Sequence, residues 1–199
     1  MLWRHGQTTW NVERRFQGQT DIPLDETGEA QAEFTARRLA TLRPDAIFTS
    51  DLSRAHQTAG ALSKLTSLSI ILDKDLRERA GGDWEGLNDE EIRTRYPAER
   101  ASWNPPNGEP TAAVADRVAA AFTRIAQALD GGQLAVVVSH GAALRLGMER
   151  ILGLPALGVS VLGPLANCSW SVLSVQDSHW RLLEYNAQTV PEPVIGDDR

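Results

Sequence analysis

A chain of 199 residues with 42% hydrophobic content can bury one substantial core, and chains of this length most often form a single domain. The formal net charge of −6, with the basic residues scattered rather than massed, leaves no electrostatic footprint for nucleic acid or an anionic membrane; an anionic ligand must be caught by a local cluster. The one cysteine, Cys168, rules out an internal disulfide and a thiolate metal site, so a reducing compartment, the cytoplasm, is the expected location.

No run approaches the length of a membrane span, and residues 1–11 lack the charged start and long apolar middle of a signal peptide. Met1 to Trp3 is all the apolar sequence ahead of Arg4-His5-Gly6. The first strand is therefore expected to be short against the usual five or so residues, with its natural start upstream. Arg4-His5-Gly6 reads as the end of that strand and an anion-binding turn; taken alone, a surface loop explains three such residues as well. Val12 to Leu24 follows neither period and is expected to fold as a loop over whatever His5 faces. Asp25 can cap a helix whose apolar positions include Ala32, Leu39 and Leu42 and which ends before Pro44.

Ala46 to Thr49 reads as a buried strand, and Ser50-Asp51 offers a cap for a helix from Leu52 to Thr66. Arg54 then falls in the first helical turn, where a cation opposes the helix dipole at a cost of a few tenths to about 1 kcal/mol unless an anion sits nearby. A solvated arginine or a salt bridge to Asp51 is the plain alternative. Ser69 to Leu72 is a further strand. Arg77 to Leu87 is a loop dense in glycine and charge in which Trp84 is an apolar anchor, able to hold a carboxylate toward a pocket. Asn88 to Tyr96 suits a short helix, and Pro97 to Pro110 a lid-like connection.

Val114, Val118, Ala121, Phe122, Ile125 and Leu129 repeat at helical spacing from Thr111 to Asp130, stopping at Gly131-Gly132. Leu134 to Val138 is a β-branched run of the kind buried on both faces of a parallel sheet. Ser139-His140-Gly141 ends it and Ala142 to Leu152 forms a helix. Ser169 to Val175 and Trp180 to Tyr185 alternate as an edge hairpin through Gln176-Asp177-Ser178. Residues 189–199 read as a mobile tail beyond one domain spanning 1–188. The whole is expected to be an α/β/α sandwich on a mostly parallel sheet with an antiparallel edge hairpin. His5, Ser50 to Arg54, and His140 all lie at strand carboxyl ends, where such sheets bind ligands.

Ordered stretches along the chain resemble the histidine phosphatase superfamily, also called phosphoglycerate mutase-like. They are Arg4-His5-Gly6 with Thr8 and Asn11; Gln17-Gly18 through Leu24; Ser50 to Ala59 around Arg54; and Glu78, Trp84-Glu85-Gly86 and Ser139-His140-Gly141. The resemblance covers nearly the whole chain. It implies that His5 attacks phosphorus as a neutral imidazole and becomes a phosphohistidine. Arg4, Arg54 and His140 would surround the phosphoryl oxygens, with Asn11 as a neutral donor and Gly141 and the helix N-termini after Asp51 and His140 adding backbone N–H groups.

Glu78 would act as acid and then base, its pKa raised by enclosure. Glu85, behind Trp84 in a tight loop, is the rival carboxylate and the better structural candidate. His56 would rim the site and His179 lie on the surface. Gln17, Gly18 and Arg79, with the Arg14 to Gln19 loop and Trp103 to Gly108, are candidates for the substrate wall. No metal and no cofactor are expected; the expected partner is a small phosphorylated metabolite, and the expected assembly a homodimer.

Glu78-Arg79 and Gly86-Leu87-Asn88 also echo a cofactor-dependent phosphoglycerate mutase. Gln7-Thr8 and the short Pro97 to Pro110 connection favour the phosphatase branch. Gly82-Asp83-Trp84, Asn167 to Trp170, and Trp180 to Ala187 resemble the glucosyl-3-phosphoglycerate phosphatase group within it. A noncatalytic phospho-ligand sensor is the reading from another class, disfavoured because a sensor would not need Glu78.

Overall fold

The computed structural model describes residues 1–154, 160–177 and 179–188, so the tail expected to be mobile lies outside the described residues. Six strands make one sheet: β1 (Leu2–Arg4), β2 (Ala46–Thr49), β3 (Ile70–Leu72), β4 (Ala135–Ser139), β5 (Trp170–Gln176) and β6 (His179–Ala187), in the spatial order β3-β2-β4-β1-β5-β6. The first four run parallel; β5 joins β1 antiparallel and turns back as β6, giving the expected edge hairpin.

The helices among the described residues are α1 (Thr9–Val12), α2 (Glu26–Ala40), α3 (Ser53–Thr66), α4 (Asp89–Arg95), α5 (Pro97–Ala101), α6 (Thr111–Gln127) and α7 (Gly141–Ile151). Pleating sorts the core into two layers. Val136 and Val138 of β4 pack with Trp3, Ile47 and the buried faces of α2 and α3, while Val137 packs with Leu2 and the faces of α6 and α7. All five residues of β4 are buried, as its unbroken apolar run requires of a central strand.

The short first strand is a central one, held by β4 on one side and β5 on the other, with Trp3 fully buried. Two expectations shift. Asn11 closes a capping box with Thr8, so the loop is preceded by the single turn α1. Ser50-Asp51 does not cap α3: its N-cap is Leu52 without a side-chain bond, and Asp21, 32 residues earlier in the chain, accepts from Ser53 N and Oγ, both at 2.7 Å. Asp51 instead pairs with Arg77 at 2.6 Å, which removes it as a partner for Arg54.

Candidate active site

Sheet register brings the two histidines together. Arg4 is level with Ser139, and His5 N donates to Ser139 O at 3.0 Å, so the residues that follow β1 and β4 are neighbours. The His5 and His140 ring centroids are 5.2 Å apart and tilted by 59°, within reach of one tetrahedral anion. On the other side of β4, Ser50 N donates to Val138 O at 3.0 Å. That bond sets the end of β2, and with it the first turn of α3 and Arg54, against the same rim. Gly6 is needed at the turn, because a Cβ there would lie 2.4 Å from Gly28 O in the first turns of α2.

Both imidazoles are buried and neutral. Burial pushes the pKa of each well below the usual imidazole range; Arg54 and Arg4 push His5 the same way, and Arg54, His5 and Arg4 do so for His140. Their tautomers follow from their neighbours. His5 Nδ1 lies 2.7 Å from Gly6 O, which can only accept, so the proton is on Nδ1 and the lone pair on Nε2. His140 is the reverse: its Nδ1 accepts from Arg54 Nε at 3.2 Å, leaving an N–H at Nε2 that has no partner among the described residues.

Arg54 is fully buried, and two of its four other N–H donors reach Gly18 O at 2.7 Å and Thr20 O at 2.9 Å. Burial lowers its pKa to about 10, with Glu78, Asp21 and Glu85 opposing and Arg4 adding to the shift, so it stays cationic at neutral pH. Arg4 donates to Leu165 O. Gly18 has φ +54°, and a Cβ there would run into the Glu85 carboxylate at 2.0 Å, so glycine is required where the loop passes over Arg54.

Glu78 faces the cavity and accepts from Arg79 N at 2.7 Å, Ala143 N at 2.9 Å and Ala142 N at 3.1 Å. Two N-terminal donors of α7, Ala142 N and Ala143 N, expected to face a ligand, are therefore committed to this carboxylate. In α3, Ser53 N is committed to Asp21. Glu85 binds the loop: it accepts from Gln19 N, Thr20 N and Gly81 N at 2.8–2.9 Å, and from the Thr20 hydroxyl.

Arg4, His5, Gln17, Gly18, Arg54, Glu78 and Arg79 line a cavity of about 880 Å³, far more than a phosphoryl group fills. Asn11, His140 and Gly141 are not on its wall; His140 lies next to His5, which is, at 5.2 Å between ring centroids. Asn11 Oδ1 accepts from Thr8 N, the Thr8 hydroxyl and Asn167 Nδ2 at 3.0–3.2 Å, which ties the turn behind His5. Of the expected substrate wall, Phe16 and Trp103 are on it; Arg14 and Asn104 to Gly108 are not. His56 and His179 are exposed, and His56 does not rim the cavity.

Sequence reading missed the far wall. Arg145 and Glu149 of α7, Ala112 and Ala115 of α6, and Ser160 with Leu162 to Pro164 close it. Arg145 falls one helical turn beyond Gly141, a signal available in the sequence had α7 been read as a cavity wall. Among the described residues, no group of three or more His, Cys, Asp and Glu side chains is arranged to hold a metal ion, and no helix is long and apolar enough to cross a membrane.

Fold and site together define a phosphoglycerate mutase-like α/β protein with paired imidazoles in an arginine-rich rim. The model described as the histidine phosphatase superfamily (branch 1) matches residues 1–188, and the chain belongs to that family. It is 35% identical to glucosyl-3-phosphoglycerate phosphatase of Mycobacterium tuberculosis (strain H37Rv), over 94% of this chain and 93% of that one. It is 41% identical to "Probable phosphoglycerate mutase GpmB" of Enterobacter sp. (strain 638), over 90% and 86%. The solved mycobacterial glucosyl-3-phosphoglycerate phosphatase in complex with VO3 superposes with a TM-score of 0.88 at 35% identity, covering 94% of this chain and 98% of that one.

Proposed function

We propose that the protein is a phosphatase that hydrolyses phosphomonoesters of small, anionic, sugar-sized metabolites through a phosphohistidine, without a metal. The observation that carries this is the pair of opposite tautomers: a buried neutral His5 with its lone pair at Nε2, beside a His140 that offers an N–H. His5 Nε2 attacks phosphorus and the P–O bond to the leaving group breaks; Glu78, whose three backbone N–H partners favour its ionised form, takes a proton from the monoanionic phosphate ester as it binds and gives it to the departing alkoxide. Glu78, now a carboxylate, takes a proton from water as the water attacks phosphorus. The N–P bond then breaks and the electron pair returns to Nε2. Arg4, Arg54 and the His140 N–H stabilise charge on the three peripheral oxygens at both steps.

The cavity argues for the substrate class. Arg79 is 2% exposed and lies on the wall with Nη2 unpartnered among the described residues, its other donors reaching Glu109 O and Trp103 O. A buried donor left open on a cavity wall calls for an acceptor on the ligand. Phe16 and Trp103 on the same wall give it aromatic surface for a sugar ring. A glycosylated phosphoglycerate, with its phosphate, carboxylate and hexose, meets all three, and the relatives named for that activity support it. A cytoplasmic location belongs to the same reading.

The test is release of phosphate from glucosyl-3-phosphoglycerate, 3-phosphoglycerate and p-nitrophenyl phosphate in EDTA, with acid-quench trapping of phosphohistidine. The expected result is turnover in EDTA, best on the glycosylated substrate, with trapped label lost in His5→Ala. Likeness to a mutase gives the second reading: exchange between 2- and 3-phosphoglycerate that depends on 2,3-bisphosphoglycerate would replace the first.

A further inference from the structure

We propose that Arg117, on α6 and outside the cavity, positions the Glu78 carboxyl and so acts in proton transfer without touching substrate. The inference rests on reading Glu78 as the proton donor. A guanidinium has five N–H donors in a fixed fork, and at Arg117 all five are used. Nη1 donates to Asp75 O at 2.8 Å and Arg77 O at 2.7 Å, and Nη2 donates to Glu78 O at 3.0 Å. Nε and Nη2 donate to Oε1 and Oε2 of Glu109, both at 2.7 Å. Three carbonyls from the strandless stretch that carries Glu78 thus converge on one cation.

Glu109 extends the clamp. Its N donates to Ala80 O at 2.9 Å, its O accepts from Arg79 Nε at 2.8 Å, and its carboxylate accepts from Ala80 N at 3.3 Å. The Arg117–Glu109 pair therefore sits under Glu78, Arg79 and the end of the Trp103 connection at once. Glu78 is held at two points: its backbone from α6 by Arg117, and its carboxylate from the first turn of α7 by Ala142 N and Ala143 N. Those α7 donors cannot fix the carboxylate alone once the backbone beneath it drifts. Lysine, a point charge with three donors, cannot span five acceptors arranged for a fork.

A misplaced proton donor has a signature that plain destabilisation lacks. Protonation of the leaving group matters greatly for an alkoxide and little for p-nitrophenolate. Arg117→Gln, Arg117→Lys and Glu109→Gln should be compared with Glu78→Gln by kcat/KM on an alkyl phosphomonoester and on p-nitrophenyl phosphate. Misplacement by about 1 Å costs on the order of 10²-fold. The alkyl value is therefore expected to fall at least ~10-fold more than the aryl value in Arg117→Gln, with smaller selective losses in the other two.

Inhibition by orthovanadate should stay within ~3-fold of the unmodified protein, because Arg4, His5 and Arg54 are untouched. Should Arg117→Gln fail to fold, Arg117→Lys and Glu109→Gln give the same readout. Equal losses on both substrates in folded variants, or none, would overturn the proposal while Glu78→Gln still shows the selective loss. A Glu78→Gln without selectivity would instead overturn the proton-donor reading itself.

Discussion

Replacing Glu85 by glutamine separates the two carboxylates of the glycine-rich loop. Glu85 Oε1 accepts from Gln19 N at 2.9 Å and Gly81 N at 2.8 Å, and Oε2 from Thr20 N at 2.9 Å and the Thr20 hydroxyl. Whichever way the new amide faces, its NH2 meets at least one backbone N–H and leaves that donor unpaired. Hydrogen bonds to a charged group are worth about 1.5–3 kcal/mol each. With one or two lost at a half-buried site, the expected cost is about 2–4 kcal/mol. For a chain of this size that lowers Tm by roughly 4–16 °C.

Kinetically, the loop that Glu85 holds supplies Gly18 O and Thr20 O to Arg54. The variant should therefore raise KM and the inhibition constant of inorganic phosphate, while leaving the leaving-group dependence and pH profile of kcat in place. Calorimetry and steady-state kinetics on aryl and alkyl phosphates check both. A Tm within about 1 °C of the parent, or a loss confined to alkyl substrates, would refute the reasoning; the second outcome would make Glu85 the proton donor.

Arg54→Lys keeps a charge but cannot reach Gly18 O, Thr20 O and His140 Nδ1 together, so kcat on p-nitrophenyl phosphate should fall by about 10²–10³, as for a lost preorganised donor. Arg79→Met should raise KM for a substrate with a second anionic group by roughly 10-fold, one desolvated charge contact, and move KM for p-nitrophenyl phosphate far less; equal shifts would remove Arg79 from the substrate wall. His5 and His140 have pKa values depressed chiefly by burial, so in a window below the unfolded value near 6.5 the folded protein binds fewer protons than the unfolded chain. Their contribution to stability is then complete above about pH 6.5 and lost as pH falls below it. Tm measured from neutral to acidic pH should drop less steeply in His140→Gln than in the parent.

What was legible in the sequence is what depends on local pattern. The β4 run and the apolar stripe of α6 each state their own burial, and Asp25 caps α2 through Gly28 N at 2.8 Å as its place before the stripe requires. The motif residues at strand ends were legible for a related reason: strands of a parallel sheet end on one side, so Arg4, His5, Ser50 and His140 had to share a rim. Contacts between distant segments were not legible. Nothing near Asp51 says that it pairs with Arg77, and nothing near Ser53 says that Asp21 supplies its cap. The far wall was missed for the same reason, since Arg145 and Leu162 meet the cavity only through the packing of α7 and the segment after it.

The division of labour between the two histidines has its origin in that long-range packing. Residue type cannot distinguish them: each follows a strand, precedes a glycine and is buried. His5 receives its tautomer from the carbonyl of its own neighbour, Gly6, so the lone pair at Nε2 is fixed by the turn itself. His140 receives the opposite tautomer from Arg54, 86 residues away, and Arg54 is aimed by carbonyls of the Gln17 to Thr20 loop. That loop is in turn held by Glu85. A chain of fixed dipoles from Glu85 through Gly18 and Thr20 to Arg54 therefore ends in one N–H at His140. Breaking it at Arg54 should let the His140 proton move to Nδ1, leaving the site with two lone pairs where the reaction needs one attacker and one donor.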